Sequence, residues 1–575
     1  MNTDRPETKG FATPLDRFAP WILAAAIIVS AVVAMHLGRG STFTGDEMVW
    51  IVSSPGMDLS TALQSHGGHL QLIPRGIYKL MLETVGTTYW PYRLLTVAAM
   101  ALLSVLLYRY LVRRAGPTVA LVPSILMLFF GADALHVIRG NGFTIIFSIA
   151  CGIGALLAIE RRDLKGDALA CFLLVCGVAT YTLALPFVAG VALALLLGRN
   201  WKRLWVPAVP LLLYTSWRIW LQATANLNSN STVHLSSLDD IPRWIFDALS
   251  AILSAITGLG YGFTNTSVAG PDDLIGPLLA AAALVALAWR LSRGSIPRSL
   301  WVSLAIGFIL WSIQSLASDP SLADYRAPSD PRYLYPGAVV VFLIAGDLVA
   351  GMRWTRAAFT VFVAVAAFGI ASNIAQMNEY GKANRTADAD LRRFVTAVGI
   401  FYDESGGHRV EPSSEPVVVE NTDLIGAVLA TMAQRPYGGI DYSLSEIASR
   451  PQAGRLDIDE TLAGYQAVEL SKGDPGAKRC RMLEPAAGGG YVAKLPSGEV
   501  TLKSGRFAGI ARIGRFSSGE PIVLGPVPAR SIRGVSTPEP FEGPRWRISF
   551  SRPGLKLCSR TAPVGPGESA SADRN

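Results

Sequence analysis

The sequence predicts a multi-pass α-helical membrane protein that ends in a domain outside the membrane. Half of its 575 residues are hydrophobic and only 16% are charged, whereas average soluble domains are about 25% charged. Up to about residue 375 the hydrophobic residues are gathered in long runs, which short basic clusters separate. That placement follows membrane topology, so the net charge of +8 does not indicate nucleic-acid binding. After residue 376 the apolar runs shorten, and Gly, Pro, Ser and charged residues become more frequent.

The apolar runs are the candidate membrane spans. A span needs about 20 apolar residues at a rise of 1.5 Å each, and about eleven runs come near this length. Several are short, and the two runs between residues 167 and 198 could form one broken helix. The runs cover residues 20–37, 92–112, 117–135, 142–159, 167–182, 184–198, 204–221, 273–291, 299–317, 334–351 and 356–375.

The basic clusters set the orientation of these runs. Together with the N-terminal tail they fall at every second connection, which places all of them on one side of the membrane. The positive-inside rule makes that side the cytoplasm. We therefore expect a cytoplasmic (inner) membrane protein whose cytoplasmic N-terminus leads into an uncleaved signal anchor. The extracytoplasmic parts are then the first loop (38–91), the loops 136–141, 222–272 and 318–333, and the whole C-terminal region.

Two of the predicted external loops are long. In the loop 222–272, residues 243–261 are apolar but interrupted by glycines, and a span there would invert the charge pattern downstream. We expect a re-entrant or interfacial helix instead. In the first loop, apolar residues between 59 and 81 recur at helical spacing. This spacing predicts one or two amphipathic helices on the membrane surface.

The C-terminal region, residues 376–563, is predicted to be an extracytoplasmic α/β domain that ends in a β-rich portion. Cys480 and Cys558 could form a disulfide in this setting, although their spacing alone does not show that they pair. Residues 564–575 have the composition of a disordered tail. We expect helices over 388–398 and 424–434, and strands at 416–420, 491–495, 499–503, 507–516, 521–527 and 546–550.

The first external loop contains candidate catalytic residues. Asp46 and Glu47 follow the first span, where a carboxylate can act as a general base or bind a cation. The structural alternative is a helix N-cap followed by a glutamate that favours the helix dipole. His66 and His69 would share a face on a helix, and with Asp46 or Glu47 they could hold a divalent metal. Because the two intervening glycines weaken a helix, the histidines could instead lie at a break, as hydrogen-bonded loop residues.

Arginines on the predicted outer side form a second group of candidates. Arg75, Arg93, Arg139 and Arg332 lie at or near the outer ends of spans. A guanidinium binds phosphate through two parallel hydrogen bonds, so several around one face would make an anion site near the lipid headgroups. Each one taken alone is explained by snorkelling to the interface. Tyr333, next to Arg332, could be an ordinary interfacial aromatic residue.

The chain resembles the GT-C superfamily of integral membrane glycosyltransferases, which use polyprenyl-phosphate sugars as donors. The resemblance rests on the acidic pair in a large first loop, about eleven spans, a C-terminal extracytoplasmic domain, and the Arg-Tyr-x-x-Pro element at residues 332–336. It covers about residues 15–375. Residues 66–78 are closer to a bacterial subgroup than to any subgroup with a known substrate. For the second acidic pair that some members carry, 239–240 and 272–273 are both candidates.

The resemblance implies roles for these residues. The first-loop carboxylate that serves as catalytic base maps to Asp46, with Glu47 beside it. The arginines that hold the donor phosphate map to Arg332 and Arg139, and Arg75 and Tyr333 are further candidates for substrate binding. His66 and His69 would hold the acceptor or a metal ion. A divalent metal is the one cofactor that we consider.

The expected function is the transfer, with inversion, of a sugar from a polyprenyl-phosphate donor to an extracytoplasmic acceptor. The acceptor would be a glycan, lipid or protein of the cell envelope. The alternative is a non-catalytic membrane transporter or cell-envelope assembly protein. Transporters place polar groups near the bilayer midplane, whereas here the reactive residues cluster in the predicted external loops, which favours the enzyme.

Overall fold

The computed structural model divides into two compact units. The first contains Met1–Phe43 and Ser53–Thr386, and the second contains Thr44–Val52 and Ala387–Asn575. The predicted strand at 416–420, the helix over 424–434 and the tail lie outside the described residues. The structure describes residues 15–224, 235–259, 261–264, 267–271, 274–293, 296–318, 327–350, 355–405, 437–486, 489–518 and 521–560.

The helices begin and end where the sequence carries the expected signals. Pro91 and Pro186 lie in the first turns of two helices, where a missing N–H removes no helical hydrogen bond. Asp163 caps a third by accepting the N–H of Gly166 at 2.6 Å. In chain order the helices are α1 (Ala19–Leu37), α2 (Asp46–Ser53), α3 (Leu59–Ala62), α4 (Leu72–Val85), α5 (Trp90–Ala115), α6 (Pro117–Leu128), α7 (Ala134–Ile138), α8 (Phe143–Ile159), α9 (Leu164–Thr180), α10 (Leu185–Leu197), α11 (Trp205–Ala223), α12 (Ile241–Thr257), α13 (Ile275–Ser292), α14 (Arg298–Leu316), α15 (Pro331–Leu348), α16 (Arg356–Glu404), α17 (Leu444–Ser449) and α18 (Gln452–Tyr465).

Seven helices in the described part of the chain are long and apolar enough to cross a membrane, judged by length and composition. They are α1, α5, α13, α14, α16 and the stretches Pro117–Ile138 and Gly140–Ile159, which contain α6 and α8. Helices this apolar indicate a lipid bilayer environment. Each of the eleven predicted runs coincides with a described helix. The helices are therefore confirmed, and the number that cross the membrane stays a prediction.

Helix α8 is the most enclosed of these apolar helices, since 89% of its stretch is buried inside the protein. It packs against α5 and α9. Gly152 lets it approach α10 closely, because a Cβ there would come within 2.3 Å of the Phe187 ring. A helix that is buried all round is typical of the centre of a helical bundle.

The two long predicted loops contain the expected helices. In the first loop, α3 and α4 are separated by a turn at residues 66–69. In the loop 222–272, α12 packs against α13, α14 and α15 through a buried face that includes Ala248, Ala251 and Ala255. It is followed by a hairpin of β1 (Tyr261–Thr264) and β2 (Ser267–Pro271). The placement of α3, α4 and α12 at a membrane surface stays a prediction.

The second unit combines α2, the end of α16, α17 and α18 with two five-stranded sheets. The strand orders are β3-β10-β7-β12-β4 and β5-β6-β11-β8-β9. Both sheets contribute to one hydrophobic core, with Leu502 and Leu557 from the first and Ile513 and Ile548 from the second. The strands are β3 (Ser471–Lys472), β4 (Arg479–Met482), β5 (Glu484–Pro485), β6 (Tyr491–Lys494), β7 (Gly498–Lys503), β8 (Gly509–Gly514), β9 (Ile522–Val527), β10 (Ile532–Thr537), β11 (Arg547–Phe550) and β12 (Lys556–Ser559).

The structure refines two predictions about this unit. Every described strand pairing is antiparallel, and the described helices precede the sheets in sequence, so α+β is the better class than α/β. The boundary falls between residues 386 and 387 instead of at 376, and the first-loop residues 44–52 belong to this unit. The five predicted strands beyond residue 490 are all present, as β6, β7, β8, β9 and β11.

Two buried features stabilise the fold of the second unit. A disulfide joins Cys480 of β4 to Cys558 of β12, directly across the strand pair. The buried Asp459 of α18 accepts the backbone N–H groups of Arg515, Phe516 and Ser517 at 2.8–2.9 Å. These bonds hold α18 against the connection that follows β8. They also give a buried carboxyl group the hydrogen bonds without which its burial would be costly.

Candidate functional site

Four polar segments distant in sequence provide interacting side chains within the first unit. They are the turn at residues 66–69, the connection 131–142 between α6 and α8, the link between α9 and α10, and the start of α15. Their charged and aromatic groups contact or influence one another, as described below. Such convergence on an apolar helical scaffold makes this region the candidate site.

The His66–His69 segment is a tight turn and not a helix. The two residues exchange backbone hydrogen bonds of 3.2 and 2.9 Å, and Gly67 and Gly68 have φ of 55° and 84°. Two positive φ values are those of a type I′ turn, which favours glycine at both positions. The arrangement of both histidines on one helix face is therefore excluded, and the break considered as the alternative is confirmed.

The turn brings His69 against the link between α9 and α10. The His69 ring stacks on Tyr181 with a centroid distance of 4.0 Å. Its Nδ1 lies 2.6 Å from the hydroxyl oxygen of Thr182. The stacking and the hydrogen bond fix the orientation of the ring. His69 is thus a positioned side chain in a polar cluster.

Arg332 provides a fixed positive charge at the start of α15. Asp330 caps the helix by accepting the Arg332 backbone N–H at 3.1 Å, and it also accepts the Arg332 Nε–H at 3.0 Å. Burial disfavours the charged guanidinium, but Asp330 together with two neighbouring tyrosines holds the pKa of Arg332 above its ordinary value. Tyr181 and Tyr333 are close enough to interact electrostatically with Arg332. The Arg332 side chain remains 41% exposed, so part of its fork is accessible to an anion.

A buried, hydrogen-bonded pair of a carboxyl group and an imidazole lies in the connection between α6 and α8. Asp133 Oδ1 and His136 Nδ1 are 2.7 Å apart, and Asp133 is completely buried. Among the described residues, Asp133 Oδ2 has no hydrogen-bond partner. The carboxylate is close enough to Asp330 to interact with it electrostatically. This links the pair to the start of α15.

The surrounding backbone holds this pair rigidly. Asn373 of α16 accepts the Ala132 N–H at 3.2 Å and donates to the Ala255 carbonyl of α12 at 2.8 Å. Gly131 is required beside it, because a Cβ there would come within 1.9 Å of the Asn373 carbonyl oxygen. Sequence reasoning missed Asp133 and His136. The signal was present, since an ionisable residue near the end of an apolar run is a functional candidate.

Two predicted phosphate-binding arginines make other contacts. Arg139 is buried, and its guanidinium bonds to the Thr42 carbonyl, the Tyr380 hydroxyl and Asn384. It thus ties the end of α7 to the segment that follows α1 and to the first-unit part of α16. Its role in substrate binding stays a prediction.

Arg75 is also buried, and it donates to the Thr61 carbonyl at 2.5 Å. Burial lowers the pKa of Arg75, and no carboxylate among the described residues offsets this effect. The hydrogen bond to Thr61 joins α4, which contains Arg75, to α3. A direct role with substrate is again a prediction.

Asp46 and Glu47 form the first turn of α2, within the second unit. Glu47 is buried, and its Oε2 accepts the Thr44 N–H at 3.3 Å. This is the helix-start geometry considered as the structural alternative. His66 and His69 belong to the first unit. Within the part of the chain that the structure describes, no three His, Cys, Asp or Glu side chains are grouped to hold a metal ion.

Comparisons with protein-family models, with curated proteins and with solved structures gave no match to this chain.

Proposed function

We propose that the protein is an integral membrane glycosyltransferase that uses a polyprenyl-phosphate sugar. The observation that carries the proposal is the partly exposed Arg332, held by Asp330 next to Tyr181 and the stacked His69. A lipid phosphate needs a cation at the edge of an apolar scaffold, and a sugar needs aromatic and hydrogen-bonding groups beside that cation.

In the proposed reaction an acceptor hydroxyl attacks the anomeric carbon of the donor. The new bond joins the acceptor oxygen to that carbon, while the bond between the carbon and the phosphate oxygen breaks with inversion. Polyprenyl phosphate leaves with the electron pair, and Arg332 stabilises its charge. The resemblance to the GT-C superfamily assigns the proton of the acceptor hydroxyl to Asp46. The acceptor is a glycan, lipid or protein of the cell envelope.

The proposed location is the cytoplasmic membrane, with the N-terminus in the cytoplasm and the second unit outside. The basic clusters between apolar runs support this orientation. The disulfide between Cys480 and Cys558 supports it independently, because disulfides persist in oxidising compartments.

Binding of polyprenyl phosphate to the purified protein in lipid nanodiscs tests the proposal. Arg332→Ala should weaken binding by about tenfold or more, because charge-assisted contacts contribute about 1.5–3 kcal/mol. Arg332→Lys keeps the charge but loses the fork, so it should bind with intermediate affinity. Arg243→Ala is the matched control, because the Arg243 side chain is 84% exposed and its ion pair with Asp247 is long, with 3.7 Å between Nε and Oδ2. Equal affinities for all four proteins would exclude Arg332 as the phosphate ligand.

One observation favours the transporter as a second candidate. Asp133 lies in an apolar stretch and keeps a carboxylate oxygen without a partner among the described residues. Intramembrane carboxylates of this kind occur in transport pathways. Lipid-phosphate binding without any sugar transfer, together with loss of binding in Asp133→Asn, would favour transport over catalysis.

A further inference from the structure

One face at the end of α14 carries neutral polar side chains that are deeply buried. Trp311, Gln314, Ser315 and Ser318 recur at i, i+3, i+4 and i+7, so they share a face over the last two turns. Their exposed fractions are 4%, 5%, 1% and 4%. Ser318 continues the turn beyond the helix by donating its backbone N–H to the Ser315 carbonyl at 3.1 Å. We call these four residues the Trp311 face.

The polar atoms of the Trp311 face are left without hydrogen bonds by the part of the chain that the structure describes. The indole Nε1 of Trp311, both amide atoms of Gln314 and the hydroxyls of Ser315 and Ser318 have no hydrogen-bond partner among the described residues. Buried polar groups in native proteins are nearly always hydrogen-bonded. A contiguous set of donors and acceptors with no partner among the described residues is therefore a candidate for binding a polar ligand.

Neighbouring aromatic residues extend the same region. Trp244 of α12 is buried, and its indole Nε1 also lacks a partner within the described ranges. Its ring packs edge-on against Tyr333 with a centroid distance of 6.0 Å. Both α12 and α15 pack against α14, and a Cβ at Gly337 of α15 would lie 3.7 Å from Trp311 Nε1. The Trp311 face therefore adjoins α15, which carries Arg332 in its first turn.

We propose that the Trp311 face binds an uncharged, polyhydroxylated ring, namely the sugar of the glycosyl donor. This inference rests on the proposed function and names the substrate class for the same region. Indole N–H, amide and hydroxyl groups match the alternating donors and acceptors of sugar hydroxyls. Aromatic rings beside them pack against the C–H faces of a sugar. The phosphate would lie at Arg332, at the start of the adjoining helix.

The chemistry of the face also limits the sugar. Its four members carry no formal charge, so a uronate carboxylate would be buried there without a counter-ion. Burying an unpaired charge is far more costly than burying a hydroxyl that finds a hydrogen bond. The donor sugar is therefore a neutral hexose or pentose.

The test compares two ligands on the full-length protein in nanodiscs. They are polyprenyl phosphate and the same lipid phosphate carrying a neutral hexose or pentose. Gln314→Leu replaces the amide with an apolar group of similar size, and removes two hydrogen bonds worth about tenfold in affinity. We expect wild type to prefer the sugar-bearing lipid, and Gln314→Leu to bind both lipids with the affinity of wild type for the bare phosphate. Gln222→Leu is the matched control, because Gln222 is exposed on α11.

A second readout separates this inference from the proposed function. Saturation-transfer NMR with free neutral methyl glycosides detects sugar binding without any lipid phosphate. Signals with wild type and Gln222→Leu that vanish in Gln314→Leu and weaken in Ser315→Ala would support the Trp311 face even if polyprenyl phosphate does not bind. That pattern would contradict the proposed polyprenyl-phosphate donor but not the sugar site. Equal sugar signals or equal lipid preferences in all four proteins would show that only water occupies the Trp311 face.

Discussion

Replacing His136 with alanine should destabilise the first unit by at least about 1–3 kcal/mol. Asp133 is fully buried and His136 is 8% exposed, so the bond between them is shielded from water. Removing the imidazole leaves a carboxylate whose other oxygen has no partner in the described part of the chain. The other charge that influences it, Asp330, is also negative and so provides no compensation. Leaving a buried polar group without its hydrogen-bond partner typically costs this amount, and more where the group is charged.

A set of variants separates the charge from the shape. Asp133→Asn keeps a hydrogen-bonding group for His136 and carries no charge, so it should cost about 1 kcal/mol. The double variant Asp133→Asn/His136→Ala leaves no charge to compensate, so it should be more stable than His136→Ala alone. His36→Ala is the control at an exposed position, where substitutions usually stay within about 0.5 kcal/mol.

Unfolding in mixed micelles of increasing SDS fraction, followed by circular dichroism, measures these differences. We expect the midpoint of His136→Ala to be well below those of wild type, Asp133→Asn and the control. If the double variant unfolds as early as His136→Ala, the loss comes from packing and not from an uncompensated charge. If His136→Ala unfolds with the control, the pair contributes nothing to stability.

Two further predictions concern the second unit. Asp459→Ala leaves three buried backbone N–H groups without their acceptor and should therefore cost about 3 kcal/mol or more. Hydrogen exchange at residues 515–517 should become about 100-fold faster. Asp457→Ala is its control, because Asp457 pairs with Arg393 on the surface at 2.9 Å and should cost less than about 1 kcal/mol. Replacing both Cys480 and Cys558 with serine should cost about 2–4 kcal/mol in stability and should speed hydrogen exchange in β4. If hydrogen exchange in β4 stays equal to that of the oxidised wild type, the sheet does not depend on the disulfide.

The sequence predicted the elements whose signal is local. Apolar runs marked the helices because a lipid-facing helix must be apolar over its whole length. The β6 and β7 segments were found because they are short runs separated by the turn residues 496–498. In contrast β4, Arg479–Met482, was missed because it is an edge strand with largely exposed side chains and no alternation. The assignment of α2 to the second unit depends on long-range contacts that no local pattern reveals.

The candidate site was only partly predictable for the same reason. Arg332 was identified because it stands next to a tyrosine at the start of a span. Asp133 and His136 were hidden at the edge of an apolar run, and only the folded chain brings them near Asp330. The Trp311 face was visible in principle as a polar stripe with helical spacing. Its meaning depends on burial without partners among the described residues, which a sequence does not show.

Sugar transfer by the purified protein is the most direct test of the proposed function. Wild-type protein in proteoliposomes should convert a polyprenyl-phosphate sugar into free polyprenyl phosphate and a glycoside of inverted configuration when an acceptor alcohol is present. Asp46→Asn should reduce this rate by at least about 100-fold, since it removes the proposed base, while the protein keeps its wild-type elution in size-exclusion chromatography. Sugar transfer at the full rate in Asp46→Asn would contradict the assigned base, and no release of polyprenyl phosphate from any neutral-sugar donor by wild type would contradict the transferase itself.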